Sequence, residues 1–225
     1  MFQIRGTLVA ALLVLGATTA LASRSIPVPS IDDETTQTHQ DDNHIAMAMW
    51  LSTEMFRDSV SATMAPADVK VMMDGLKGYA IYGLLDTNID GATAAVVAAD
   101  RAKLRASAQL KLGDRAPRSI VRESELPAAV LQAVHVMKPI MAGALGKVGD
   151  AMEFVVFKDA DEHGNSLADP RAHLVATLTF DKETFVWRMP LVSLQPPKVD
   201  PATGDTFPGD FDFNPFTGHK LDMKK

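Results

Sequence analysis

The chain has 225 residues, with 28 acidic and 22 basic side chains and a formal net charge of −6 at pH 7. It contains no cysteine, which excludes disulfides, a thiol nucleophile, thiolate metal sites and a lipidated cysteine anchor. The acidic balance and the lack of a lysine and arginine cluster argue against nucleic acid or an anionic membrane surface as a partner.

Residues 1–22 are typical of a secretory signal peptide. Arg5 and the amino terminus supply positive charge, residues 7–16 form a short apolar core, and Ala20-Leu21-Ala22 has the pattern of a cleavage site. The apolar run is about half as long as a membrane span needs, although an uncleaved anchor remains the alternative. We therefore predict a periplasmic or secreted protein with no stable membrane span after signal cleavage.

Residues 23–43 are polar and acidic, and they predict a disordered leader because they offer too little apolar surface to offset the entropy of ordering. His39, Asp41, Asp42 and His44 could together hold a transition metal. Nothing in the sequence orients these side chains, so the interpretation is a solvated segment.

The next part of the chain predicts two helices followed by three strands. The first helix begins near Asp42 or Asn43, carries Ile45, Met49 and Phe56 on one face, and ends before Pro66. A second helix covers residues 67–76. The strands cover residues 79–85, 92–98 and 104–112, the last because its small and apolar side chains alternate with polar ones.

A long helical pattern then runs from residue 125 to about residue 147, and Pro139 should kink or split it. Strands follow at residues 153–157, 173–180 and 185–194, and the last two predict a hairpin. Residues 44–195 therefore predict an α+β domain of two antiparallel β-meanders packed with helices.

The tail, residues 196–225, contains one five-residue sequence motif twice. Asp200-Pro201-Ala202-Thr203-Gly204 returns as Asn214-Pro215-Phe216-Thr217-Gly218. The layout is that of a two-knuckle zinc ribbon, C-P-x-C-G, with every cysteine replaced. In each unit the Asx side chain, proline and glycine can form a turn through hydrogen bonds. We predict an ordered, metal-free, zinc-ribbon-like β-hairpin tail.

Calcium and zinc are the alternatives to a metal-free tail. Calcium would require Asp205, Asp210 or Asp212 to join Asp200, because one carboxylate carries too little charge. Zinc is disfavoured because threonine is a poor ligand for it.

The run 187–194 (WRMPLVSL), the following P-P-K-x-D-P and the tail resemble a group of uncharacterised exported bacterial proteins. The resemblance covers roughly residues 137–221 and is specific in the tail. It implies an exported domain with a degenerate zinc-ribbon-like tail, and it implies no activity and no site residues.

Two acidic loops imitate calcium-binding loops. Asp86, Asn88 and Asp90 match the start of an EF-hand loop, but Val97 occupies the position that requires a bidentate glutamate. Asp159 and Asp161 begin a similar loop that reaches a proline at that position. We interpret both as ordinary turns and keep the five residues as weak calcium candidates.

The chain has 12 methionines, which invites a copper hypothesis for a cysteine-free exported protein. Met47 and Met49 are expected on different faces of the first helix, and Met137 and Met141 belong to an apolar stripe. The interpretation is core filling. His135 is likewise interpreted as a core or interface residue of the long helix.

No nucleophile elbow, metalloprotease motif, phosphate loop or dinucleotide fingerprint is present. The sequence indicates no catalytic residue, cofactor or bound metal. The first hypothesis is an exported, non-enzymatic protein of the bacterial cell envelope that binds an unknown protein partner. The alternative is a calcium- or small-ligand-binding periplasmic protein, and the third hypothesis is a hydrolase without a recognisable motif.

Overall fold

A computed structural model describes residues 25–61, 64–93 and 95–224. The predicted signal peptide lies outside the described residues. The helices are, in chain order, α1 (Ile31–Thr35), α2 (Thr53–Ser61), α3 (Pro66–Leu76), α4 (Arg101–Ser107), α5 (Ala128–Leu145) and α6 (Lys147–Ala151). The strands are β1 (Thr36–Gln40), β2 (His44–Leu51), β3 (Tyr79–Ile89), β4 (Val96–Ala98), β5 (Gln109–Leu112), β6 (Arg118–Ser119), β7 (Glu153–Lys158), β8 (Leu174–Phe180), β9 (Glu183–Met189), β10 (Lys198–Val199), β11 (Thr206–Phe207) and β12 (Asp222–Met223).

Helices and antiparallel sheets together confirm the predicted α+β class. The first sheet has the order β1-β2-β3-β4, and β7 pairs with the first half of β3. The second sheet has the order β6-β5-β8-β9. All the pairings given for these strands are antiparallel, and two of them, β3 with β7 and β5 with β8, join strands that are not consecutive in the chain.

One face of the first sheet packs against the second sheet. Tyr82 of β3 contacts Trp187 of β9 with ring centroids 5.3 Å apart, and it meets Phe157 of β7 edge to face at 5.9 Å. All three aromatic side chains are almost fully buried. Aromatic rings of this size contribute much of the apolar area in a core, so this cluster joins the two sheets.

The opposite face of the first sheet packs against α2, α3 and α5. Side chains alternate along β2, so Ala46 and Ala48 face the second sheet while Met47 and Met49 face the helices. The helix-facing layer holds nine methionines: Met47, Met49, Met55, Met64, Met72, Met73, Met137, Met141 and Met152. The molecule is therefore layered as helices, sheet and sheet.

The prediction of a disordered leader is wrong for residues 31–40, which form α1 and β1. Ser30 and Asp33 form a capping box at the start of α1. The Glu34 carboxylate accepts hydrogen bonds from Val192 N at 2.6 Å and Ser193 N at 2.7 Å. Trp187 Nε1 donates to Thr35 O at 3.0 Å. Hydrogen bonds to residues far away in the sequence order this segment, so the composition of residues 31–40 alone does not indicate that they are folded.

The prediction of a helix from residue 42 is also wrong at its start. Residues 44–51 form β2, and the helix begins at Thr53, where the Ser52 hydroxyl accepts a hydrogen bond from Met55 N at 3.2 Å. Met47 and Met49 therefore point to the same side of a strand, in contrast to the prediction.

The prediction of a strand over residues 104–112 is correct only from Gln109. Residues 101–107 form α4, whose first turn is capped by the Asp100 carboxylate through Ala102 N at 2.7 Å. The long helix is shorter than predicted, and it continues through Pro139 as one element.

The tail forms a three-stranded sheet in which β10 lies between β11 and β12. Two matching turns project from it: Asp200 N donates to Asp205 O at 2.9 Å, and Asn214 N donates to His219 O at 2.8 Å. Gly204 and Gly218 adopt φ of 78° and 75°. The glycine in each repeat is thus required by its backbone conformation. The kinship of this arrangement with a zinc ribbon stays a prediction.

Candidate functional site

A polar cleft of about 540 Å³ opens at one end of the two packed sheets. Four chain segments meet there: the β1–β2 hairpin, the end of β3, the start of α4 and the β8–β9 hairpin. They supply five carboxylates, two ammonium groups and one imidazole, namely Asp41, Asp86, Asp100, Asp181, Glu183, Lys103, Lys182 and His44. Turn and cap chemistry, which needs short polar side chains, thus places acidic groups around one opening.

The His44 imidazole and the Asp86 carboxylate form the central pair of the cleft. They lie on the adjacent strands β2 and β3, and His44 Nε2 is 3.0 Å from Asp86 Oδ1. Their side chains are 27% and 13% exposed, so the pair is half-buried yet accessible. Asn88 follows Asp86 by two residues and lines the same cleft. Alternation along β3 accounts for this shared face.

A second histidine and carboxylate pair joins the two sheets beside the cleft. His39 Nδ1 lies 2.6 Å from Glu183 Oε2, and the His39 ring stacks on Phe185 with centroids 4.4 Å apart. His39 belongs to β1 and Glu183 to β9, so this contact links the edges of the two sheets. It orients the Glu183 carboxylate at the mouth of the cleft.

Asp181 occupies the tip of the β8–β9 hairpin with a positive φ of 48°. Aspartate tolerates this conformation better than most residues with a side chain. Its Oδ1 atom lies 3.1 Å from Lys103 Nζ, and its backbone N donates to Ser107 Oγ at 3.0 Å. Both contacts reach α4, so the hairpin tip is tied to the opposite wall of the cleft.

The charge balance of the cleft is negative. Five carboxylates face two lysines, and Lys103 is already paired with Asp181. Two further carboxylates are oriented by backbone donors: Asp41 Oδ1 accepts from His44 N at 2.9 Å, and Asp100 caps α4. A concave surface lined by one sign of charge concentrates ions of the opposite sign, so the cleft favours a cation.

The structure places the five calcium candidates in three separate locations. Asp86 and Asn88 line the cleft. Asp90 accepts hydrogen bonds from Thr93 N at 2.8 Å and Ala92 N at 2.9 Å, and these donors lower its pKa. Asp161 accepts from Asn165 N and His163 N in its own turn, and its pKa is also lowered. In neither of the two acidic loops, 86–91 and 159–164, do the carboxylates converge on a position that a calcium ion could occupy.

Asp159 is buried between the strand end of β7 and the following loop. Its Oδ1 atom accepts hydrogen bonds from Ala168 N at 2.8 Å and Leu167 N at 3.1 Å. Burial raises the pKa of Asp159 to about 6, against the lowering effect of these two N–H groups and of the Arg118 charge. The Asp159 carboxyl group therefore stabilises the conformation of the loop that follows β7, and it is not exposed to solvent.

The side chains of the possible transition-metal ligands His39, Asp41, Asp42 and His44 also do not converge on one position. His39 faces Glu183, whereas His44 faces Asp86 and Asp41 accepts from the His44 backbone. Within residues 25–61, 64–93 and 95–224, no group of three or more histidine, aspartate or glutamate side chains is arranged to hold a metal ion.

A second polar cluster joins the two turns of the tail. The fully buried Asp200 carboxylate accepts from Asn214 Nδ2 at 2.6 Å, Thr217 Oγ1 at 3.3 Å and Ala202 N at 2.8 Å. His219 Nδ1 lies 3.2 Å from the same carboxylate. Burial by itself would raise the pKa of Asp200, but the contacts from Asn214, Ala202 and His219 lower it to about 2.

Sequence reasoning found Asp86, Asn88 and Asp41 but did not connect them to Asp100, Asp181 and Glu183. Asp41 and Glu183, the two that are farthest apart in the chain, are separated by 142 positions, and the groups meet through sheet packing. The usable signal was local: each lies in or beside a turn or a helix cap. Such positions gather at the ends of strands, where hairpins meet.

Of the described helices, α5 has the length and hydropathy of a membrane span. It lies against the first sheet, with Val130, Ala133 and Met137 buried.

Comparison of the chain with models of protein families, with curated proteins and with solved structures gave no match.

Proposed function

We propose that this is an exported, non-enzymatic binding protein of the bacterial cell envelope that holds a small, positively charged polar molecule in the end cleft. The observation that carries the proposal is the convergence of five carboxylates from four chain segments on one cavity of about 540 Å³. Sites for small molecules typically have volumes of about 300–1,000 Å³.

The chemistry of the lining supports a ligand with several N–H donors. Carboxylates are acceptors with two oxygens each, and hydrogen bonds between charged partners are stronger than neutral ones. The contacts made by Asp86, Asp181 and Glu183 each use one carboxylate oxygen. An amine or guanidinium group therefore suits this surface better than an anion or a nucleic acid.

The lining also supports binding rather than catalysis. A histidine and carboxylate pair such as His44 and Asp86 activates a nucleophile when a hydroxyl or thiol lies within hydrogen-bond reach. The described residues that line the cleft include no serine, threonine, tyrosine or cysteine. Export is supported by the signal-like residues 1–22.

Thermal unfolding in the presence of candidate ligands tests this function. The melting temperature should rise with millimolar putrescine or arginine and should not rise with glutamate, since only a ligand of the folded state stabilises it. Asp86→Asn and Glu183→Gln should each reduce the ligand-induced rise. Asp161→Asn is the matched control, because this acid lies in a turn outside the cleft.

Two results would decide against the proposal. A rise that persists in both cleft variants would place the ligand elsewhere, and no rise with any amine would remove the cleft as a site for cations of this class. A rise with calcium alone, abolished by Asp86→Asn, would favour the calcium-binding alternative.

A further inference from the structure

A second cavity lies on the helical side of the first sheet, and its lining is rich in methionine. It measures about 510 Å³ and lies between α1, β1, β2, α2 and α5. Met49, Met55, Met137 and Met141 line it together with Ile140, and Asp32 lies at its rim. We call it the methionine groove. It is separate from the end cleft and shares no lining residue with it.

We propose that the methionine groove binds a soft monovalent metal ion, Cu(I), through thioether sulfur atoms. Thioethers are soft ligands that select Cu(I), whereas calcium, magnesium and zinc prefer oxygen, nitrogen or thiolate. Because the chain has no cysteine, methionine sulfur is its only soft ligand. Twelve methionines are present, and four of them line this one groove.

The backbone places the four thioethers so that they can converge. Met137 and Met141 are four residues apart on α5, a spacing that puts side chains next to each other, with Cβ atoms about 5–6 Å apart. Met49 lies on the helix-facing side of β2, and Met55 lies in the first turn of α2. A methionine side chain has three rotatable bonds, so the sulfur atoms can move without backbone shifts.

Core filling is the competing explanation, and it accounts for only part of the set. Met137 is 5% exposed and belongs to the core. Met49, Met55 and Met141 are only partly buried, and they border an open volume. Their side chains are thus not fully enclosed by apolar neighbours, and they can be reached from the groove.

Two further contacts describe the rim. Thr35 Oγ1, which donates to Ile31 O at 2.8 Å, lies 3.7 Å from Met55 Sδ and places this sulfur atom beside α1. The Asp32 carboxylate contributes negative charge at the entrance. A cation entering the groove thus meets a favourable charge first and soft ligands behind it.

Competition with a chromophoric Cu(I) chelator such as bicinchoninate, under anaerobic conditions, tests the site. The protein should remove Cu(I) from the chelator. The double variant Met137→Leu with Met141→Leu should weaken Cu(I) binding by about tenfold or more. Leucine has nearly the same volume as methionine, so the fold is retained.

The control is the double variant Met72→Leu with Met73→Leu, which changes the same layer without changing the groove lining. It should bind Cu(I) as the unchanged protein does. The ¹³C-methyl resonances of Met49, Met55, Met137 and Met141 should shift when Ag(I) is added as a diamagnetic substitute. Failure to compete with the chelator, equal losses in the two double variants, or shifts confined to other methionines would each overturn the site.

Discussion

At the scale of single residues, the Asp159 carboxyl group is governed by its burial. Its side chain is almost inaccessible, and its pKa is raised from 3.8 to about 6. The folded state therefore holds a proton that the unfolded chain releases. This contribution to stability is complete below about pH 4 and is lost as the pH rises through about 6.

We expect Asp159→Asn to remove this pH dependence. The amide oxygen can still accept from Leu167 N and Ala168 N, while the cost of burying a charge disappears. The difference in free energy of unfolding between variant and unchanged protein should shift in favour of the variant by about 2.4 kcal/mol between pH 4 and pH 7. Denaturant unfolding across this range measures it. A difference that does not vary with pH would contradict the raised pKa.

Asp200 makes the opposite contribution. Its pKa is lowered to about 2, so the stability it supplies is present above its ordinary value of 3.8 and is lost as the pH falls toward 2. Asp200→Asn places an amide donor against Asn214 Nδ2. We expect the two tail turns to lose order, seen as faster amide hydrogen exchange at Gly204 and Gly218. Asp210→Asn, an exposed change in the same tail, should leave exchange unaltered.

At the scale of secondary structure elements, the Gln37 side-chain amide makes the two hydrogen bonds to the backbone of β9 that a neighbouring strand would make. Its Nε2 atom donates to Val186 O at 2.7 Å, and its Oε1 atom accepts from Val186 N at 3.1 Å. One amide thereby joins β1 of the first sheet to β9 of the second. It also covers part of an edge that is otherwise open to pairing with another chain.

Gln37→Leu should therefore destabilise the protein by about 1–3 kcal/mol, since it leaves both polar groups of Val186 without this partner. The measurement is the free energy of unfolding in urea. Gln40→Leu is the matched control, because Gln40 is an exposed residue of the same strand. Equal losses in the two variants would show that the Gln37 contacts contribute nothing specific.

The accuracy of the sequence-based predictions differs among elements for physical reasons. Strand β3 and the β8–β9 hairpin were predicted because continuous apolar or alternating runs end in clear turns. Strand β2 was missed because Ile45, Met49 and Phe56 also fit a helical period. Residues 104–107 were assigned to a strand because alanine fits either period, and the Asp100 cap decides in favour of a helix.

The candidate sites were harder to predict than the elements. The copper hypothesis was disfavoured partly because Met47 and Met49 were expected on different faces of a helix and partly because Met137 and Met141 belong to an apolar stripe. The change from helix to strand removes only the first of these reasons. The end cleft depends on hairpin tips meeting through sheet packing, which a single sequence does not report. Composition likewise concealed α1 and β1, since their partners are distant backbone groups.

At the scale of the whole molecule, residues 25–40 clamp the two sheets together. We expect a chain that begins at residue 41 to lose roughly 5 kcal/mol or more. This allows about 1 kcal/mol for each hydrogen bond that Glu34, Thr35 and Gln37 make to the segment 186–193. Chemical denaturation measures the loss. A chain that begins at Ser30 keeps these contacts and should lose much less.

The clamp also affects when folding can finish. Its contacts span between 144 and 159 positions of sequence, so they cannot form until the segment 183–193 has been synthesised. Contacts over such separations slow folding. For an exported protein, as proposed above, we expect the two sheets to stay apart during translocation and to pack together only after the segment 183–193 has crossed the membrane.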